Sequence, residues 1–360
     1  MSAARSAKAF LSLGNRTREP YRRCSRTLGV VTSRLGTKVL TLAGLLSVVA
    51  LGAGCGGLDG DDTTAPVQPA MPEDFPEPAG RSIAELREEL GGEGPVLVPA
   101  VSQFEPGANR FGFGLFDRAR AQIADAPAAI YVAPQGGGAA HGPFVARYES
   151  LAVKAQFQSE SVSSDPDAAQ SLYVARLELP KAGRYDILGV ARLDDRLVTA
   201  TPAGAGLTVN ADGKVPDVGD RAPSIDTPTA AEVGGDIKRI DTRQPPSSMH
   251  DVNFADVVGN EPVILLFATA ELCKSRVCGP VVDVAEQVKA SHGGDVKFVH
   301  QEIYNDNEVD KGFRPQVLSW KLPTEPWAFA VDRSGKVAAR LEGAFSATEL
   351  EHAVNAALRR

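Results

Sequence analysis

The chain has 360 residues, 43% of them hydrophobic, with 38 Lys and Arg against 45 Asp and Glu for a formal charge of −7. That length supports two ordinary cores plus tails. The charge is unevenly placed: nine basic side chains and the single acid Glu19 precede Val39, a local +8 that leaves −15 for everything after it. So acidic a body argues against nucleic acid as a partner.

In chain order, the basic stretch runs into VLTLAGLLSVVALGAG, residues 39–54, which is uncharged, apolar and ends in small residues directly before Cys55. A membrane span needs about 20 apolar residues, so this reads as the hydrophobic region and cleavage zone of a signal peptide. LGAGC resembles the lipobox of bacterial lipoproteins, which implies that Cys55 becomes the lipidated first residue of the mature protein. An uncleaved signal anchor, or a secretory signal with Cys55 free, are the alternatives. The acidic, Pro- and Gly-rich stretch that follows has no apolar period and reads as a flexible tether. The expected location is the cell membrane, lipid-anchored on the extracytoplasmic face. Cys24 then falls in the removed segment and Cys55 is the anchor, leaving Cys273 and Cys278 as the thiols facing an oxidising compartment.

SIAELREEL, residues 82–90, predicts a short amphipathic helix capped by Ser82. Short alternating runs follow, broken by Gly, Pro and Asp: VLVPAVSQF, NRFGFGLFD, AAIYVAP, GPFVARYES, VKAQFQSES, SLYVARLELP, AGRYDILGVARL and GLTVNAD. This spacing predicts an all-β, immunoglobulin-like antiparallel sandwich over residues 94–212. NRFGFGLFD and SLYVARLELPKAGRYDI resemble the small sandwich domains of exported bacterial proteins of the FixH or YtkA type. VGDRAPSIDTPT, residues 218–229, resembles the lead-in of the redoxin branch of thioredoxin-like proteins.

From Glu261 the pattern is strand, helix, strand, helix, strand, strand, helix. EPVILLFAT suits a buried central strand. CGPVVDVAEQVKASHGG is amphipathic and stops at Gly293 and Gly294. DVKFVHQEIY is a strand and VDKGFRPQVLSWKL a helical segment. AFAVDRSGKVAARLEG is a hairpin turning at 332–335, and SATELEHAVNAALRR a helix capped by Ser346 with Glu349 placed for a capping box. With FATAELC closing the first strand and Pro326 in PTEPWAFAVD, residues 216–360 resemble the thioredoxin-like family. The fold expected for the whole chain is therefore a sandwich followed by an α/β thioredoxin-like domain: signal peptide 1–54, disordered tether 55–80, sandwich 81–213, linker and lead-in 214–240, thioredoxin-like domain 241–360.

A cysteine at a strand-to-helix junction sits where backbone N–H groups and the helix dipole favour a thiolate. Cys273 is placed there with Lys274 and Arg276 nearby, and is expected to attack while Cys278 resolves. The resemblance implies a cis peptide bond before Pro326, with Glu325, Pro326 and Trp327 at the substrate groove. Trp327 also reads as a core residue. Four residues separate the cysteines, and five positions of α-helix turn through about 500°, so Cys273 must precede the helix or the first turn must unwind. The bacterioferritin-comigratory branch of peroxiredoxins has this spacing, but Leu266 and Ala270 stand where its Pro and Thr belong. A Sco-type copper site needs two cysteines and a histidine, and His300 lies on the following strand.

The remaining candidates are few. Glu302 is a candidate for proton transfer if its strand points inward; Glu302, Asp306 and Glu308 otherwise read as a solvated loop. His141, His250, His292 and His352 show no ligand spacing, so neither metal nor other cofactor is expected. The function expected is thiol–disulfide exchange with exported protein thiols and disulfides, in a protein attached to the membrane by its lipid anchor. A structural disulfide in a non-enzymatic binding or assembly module is the alternative, with thiol peroxidase and copper binding behind it.

Overall fold

A computed structural model describes residues 69–92, 94–273 and 276–359. The signal-peptide and lipidation readings, Cys24 and Cys55 included, lie outside the described residues. Among the described residues no helix is long and apolar enough to cross a membrane.

The first helix, α1 (Ile83–Leu90), forms as expected: Ser82 Oγ accepts from the Glu85 amide and the Glu85 carboxylate returns to the Ser82 amide. Eight strands follow: β1 (Val96–Pro99), β2 (Gly107–Phe116), β3 (Ala128–Pro134), β4 (His141–Ser150), β5 (Ser171–Leu179), β6 (Gly183–Leu193), β7 (Arg196–Pro202) and β8 (Leu207–Val209). They do not form the expected two-sheet sandwich. The order β3-β4-β5-β2-β1-β7-β6 closes on itself because β3 also pairs with β6, from Ala128↔Ala191 to Pro134↔Tyr185, giving a closed seven-stranded barrel with β8 beside β6. The β1–β7 pairing is parallel and the others antiparallel, so the barrel is mixed. Period-2 alternation specifies one buried face per strand, and a ring of strands satisfies it as well as two stacked sheets do. Phe111, Phe113 and Leu115 of β2 meet Tyr173, Ala175, Leu177 and Leu179 of β5 inside the barrel.

VKAQFQSES, expected as a strand, is instead part of an excursion between β4 and β5 that carries the single-turn helix α2 (Glu160–Ser163). Its backbone groups leave the sheet for tertiary partners: the Ser159 amide donates to Asp283 and the Phe157 carbonyl accepts from Arg243.

The rest of the chain forms α3 (Phe254–Val257), β9 (Val263–Phe267), α4 (Cys278–His292), β10 (Lys297–Gln301), α5 (Pro315–Ser319), β11 (Trp327–Val331), β12 (Val337–Glu342) and α6 (Ala347–Leu358). The sheet order is β10-β9-β11-β12, with β9 and β10 parallel and β11 antiparallel to both its neighbours. One face of β11, through Ala328 and Ala330, packs with α4 and α6; the other, through Trp327, Phe329 and Val331, packs with Phe254, Val317 and Trp320.

Barrel and sheet share a core, so the expected succession of a sandwich and an α/β thioredoxin-like domain is not what the chain forms. Leu172 and Val174 point out of the barrel from β5 and join Val281, Val284, Ala285, Leu350 and Val354 of α4 and α6. That explains why β5 reads as a nearly unbroken apolar run: both its faces are buried. Beside this contact Arg110 of β2 grips the end of α6, donating to both Glu349 oxygens at 2.8 and 2.7 Å and to the Glu342 and Ala344 carbonyls at 3.0 and 2.6 Å. The Glu349 carboxylate is thereby drawn away from the capping box expected of it, and Ser346 caps alone. Gly343 (φ +72°) lies so near the barrel that an added Cβ would fall 1.9 Å from the Ala100 carbonyl oxygen. Arg110→Ala leaves Glu349 without its partner and is expected to cost about 2–4 kcal/mol in urea denaturation. A loss within experimental error would show that the ion pair does not hold the two parts together.

Candidate functional site

The β9 run VILLF ends at Phe267 and α4 begins at Cys278, so Cys273 lies in the connecting loop, half-buried, and Cys278 occupies the first helical position, fully buried. The loop resolves the spacing problem: Cys273 precedes the helix. It also changes the electrostatic reading, because the start of α4 is at Cys278 and not at Cys273. Lys274 lies outside the described residues. Arg276, at φ +59°, turns its guanidinium to Asp165 (2.9 Å) and Asp167 (2.5 Å) on the β4–β5 excursion.

No disulfide joins the two cysteines. Burial pushes the Cys278 thiol well above its ordinary range, its hydrogen bond to Cys273 pushes the same way, and the Thr269 backbone N–H opposes them in part. Cys278 therefore holds its proton beside the Cys273 sulfur. Glu325 also acts on Cys278 through its charge. The Glu325–Pro326 bond is cis, as expected, and the Pro326 carbonyl accepts from Gly343. The Tyr304 hydroxyl donates to Glu325 Oε1 at 3.4 Å; burial, then Glu325, then the two cysteines raise it to about 12. Cys273, Cys278, Glu325 and Tyr304 thus share one neighbourhood. Tyr304 was not legible as a site residue, since nothing in sequence ties position 304 to position 325.

Trp327 and Glu302 are placed elsewhere. Trp327 is a core residue, 1% exposed, stacked on Phe329 at 5.6 Å with its indole N–H donating to Thr324. Glu302 is buried, unlike the solvated loop of Asp306 and Glu308, which pair with Lys311. Its Oε1 accepts from the Thr242 amide at 2.8 Å and hydroxyl at 2.6 Å, and its Oε2 from the Ile303 amide at 3.2 Å. With its oxygens so engaged, Glu302→Gln is expected to leave the pH profile of Cys273 alkylation unchanged; a displaced profile would return Glu302 to the reaction as a proton carrier.

A second cluster lies beneath the loop. Asp241, His250 and His300 are all buried, and their ligand-type atoms lie within 4.8 Å of one another. His250 Nε2 is 3.0 Å and His300 Nδ1 3.3 Å from Asp241 Oδ2, while His300 Nε2 donates to the Ala268 carbonyl at 3.1 Å. Burial pulls His300 down, but Asp241 and Glu302 outweigh it and raise the imidazole to about 9. Burial and the charge of His300 together lower His250 against the pull of Asp241, and the two rings hold Asp241 well below the usual carboxylate range against its own burial. The two ring nitrogens of His300 face Asp241 and the Ala268 carbonyl. His141 and His352 are exposed and His292 half-buried in the last turn of α4.

No family model and no curated protein matches the chain. Among solved structures it is similar to one bearing the name thiol:disulfide interchange protein DsbE, from Chlorobium tepidum, at 21% identity and a TM-score of 0.29, over 40% of this chain and 99% of that one.

Proposed function

We propose that the protein exchanges thiols and disulfides with exported protein partners through Cys273 and Cys278. The observation that carries this reading is the asymmetry of the pair: a half-buried sulfur in a loop stands beside a fully buried thiol whose burial holds its proton. The Cys273 sulfur attacks a partner disulfide, forming a mixed disulfide and releasing one partner thiolate, which takes a proton from solvent. Cys278 then attacks the Cys273 sulfur, forming the 273–278 disulfide and releasing the second partner sulfur, which leaves as a thiol with the proton Cys278 gives up. The partner gains two electrons and the pair loses two; the same steps in reverse oxidise a partner dithiol. Glu325 and Pro326 form the wall of the substrate groove. The signal-like segment and the lipobox-like LGAGC support an exported protein anchored through Cys55.

Incubation of the reduced full chain with oxidised glutathione tests this. Peptide mapping is expected to find Cys273 joined to Cys278, with no glutathione on either. Glutathione remaining stably on Cys273, with Cys278 still a thiol, would remove the resolving step and with it the proposed reaction.

A further inference from the structure

We propose that Asp241, His250 and His300 form a closed binding site for one divalent cation of zinc's coordination chemistry, separate from the cysteine pair. The donor set is two imidazole nitrogens and one carboxylate oxygen, which suits zinc. A cation held about 2.0–2.1 Å from each of its tetrahedral N and O ligands spaces those ligands roughly 3.3–3.4 Å apart. The Asp241 Oδ2 separations, 3.0 Å to His250 Nε2 and 3.3 Å to His300 Nδ1, are close to that edge. Ser247 Oγ lies 3.3 Å from His300 Nδ1, at the edge of this group.

The groups around these donors are already arranged as a supporting shell. His300 Nε2 donates to the Ala268 carbonyl, which orients the ring and leaves Nδ1 for a ligand, and Asp241 Oδ1 is held by the Arg243 amide at 2.8 Å. One feature then calls for a cation. Asp241 Oδ2 stands within hydrogen-bond reach of the Ser247 amide (2.6 Å) and both rings, three donors on an oxygen with two lone pairs. A cation among the three ligands replaces the competing ring protons with one positive centre. Because all three ligands are buried, it enters as the chain folds.

The test uses the full chain unfolded in guanidinium with chelator and refolded by dilution, chelator removed, with cobalt(II) as the probe. One cobalt per chain is expected, with the intense visible bands of a tetrahedral ion, displaced by zinc and retained when Cys273 and Cys278 are both replaced by Ser. His250→Asn and His300→Asn are each expected to weaken cobalt binding about 100-fold or more. Near-ultraviolet dichroism from Trp320 and Trp327 reports whether each chain has refolded. Refolded chain without cobalt bands, or bands lost in the double-cysteine variant, would overturn the proposal, leaving a network that holds protons only or a metal bound by the thiols. If the histidine variants do not refold, the stoichiometry and spectrum of the wild type and the double-cysteine variant decide.

Discussion

Cys278→Ser is expected to accumulate a mixed disulfide on Cys273 when given a partner disulfide, while Cys273→Ser loses reaction with the same partner by on the order of 100-fold, since the thiolate is the attacking species. The two variants differ because the two sulfurs differ. Cys273 is half-buried in a loop; Cys278 is at zero exposure, with burial and its bond to Cys273 both holding its proton. The measurement is intact mass after quenching in acid. Equal trapping on either remaining cysteine would show that the pair has no built-in order of attack, and the asymmetry would lose its functional meaning.

Asp283→Ala is expected to destabilise the protein by about 3–5 kcal/mol, the largest loss from any single charge removal around the site. Asp283 and Arg243 are 1% and 6% exposed and meet at 2.8 Å. The second Asp283 oxygen accepts from the Ser159 amide and hydroxyl at 2.9 and 3.0 Å, and Arg243 spends its other N–H groups on the Pro245 and Phe157 carbonyls. This one group therefore ties α4, the 243–245 turn and the β4–β5 excursion together. Burial raises the Asp283 carboxyl by more than Arg243 and Ser159 lower it, so the pair itself adds little net stability. Removing one partner is a different matter, because it strands a buried guanidinium. Asp283→Asn keeps an oxygen for Ser159 and is expected to lose less. The readout is the urea midpoint at unchanged slope; a loss below about 1 kcal/mol for Asp283→Ala would mean that water reaches Arg243.

Local patterns carried the elements, and long-range pairing carried what the sequence withheld. Ser82 and Glu85, the 332–335 turn, and the run from Cys278 to Gly293 each mark an element through contacts three or four residues apart, and each forms where expected. Barrel closure rests on β3 pairing with β6, about 55 residues on, and alternation is the same for a sandwich and a barrel. The excursion at 153–161 reads as a strand until Asp283 and Arg243 claim its backbone, and those partners lie more than 80 positions away. The site divides the same way. Cys273, Cys278 and Pro326 were legible because chemistry concentrates in those residue types. Tyr304 and the cluster of Asp241, His250 and His300 depend on folding across 21 and 59 positions, and their spacing has no signature.

The reduction potential of the Cys273–Cys278 pair tests the central claim most directly, read as the alkylated mass of the full chain equilibrated in dithiothreitol or glutathione buffers. A two-electron transition above about −300 mV is predicted, because structural disulfides of exported proteins generally lie below that value. A bond that survives every buffer, or two thiols that stay unpaired in all of them, would contradict an exchange site.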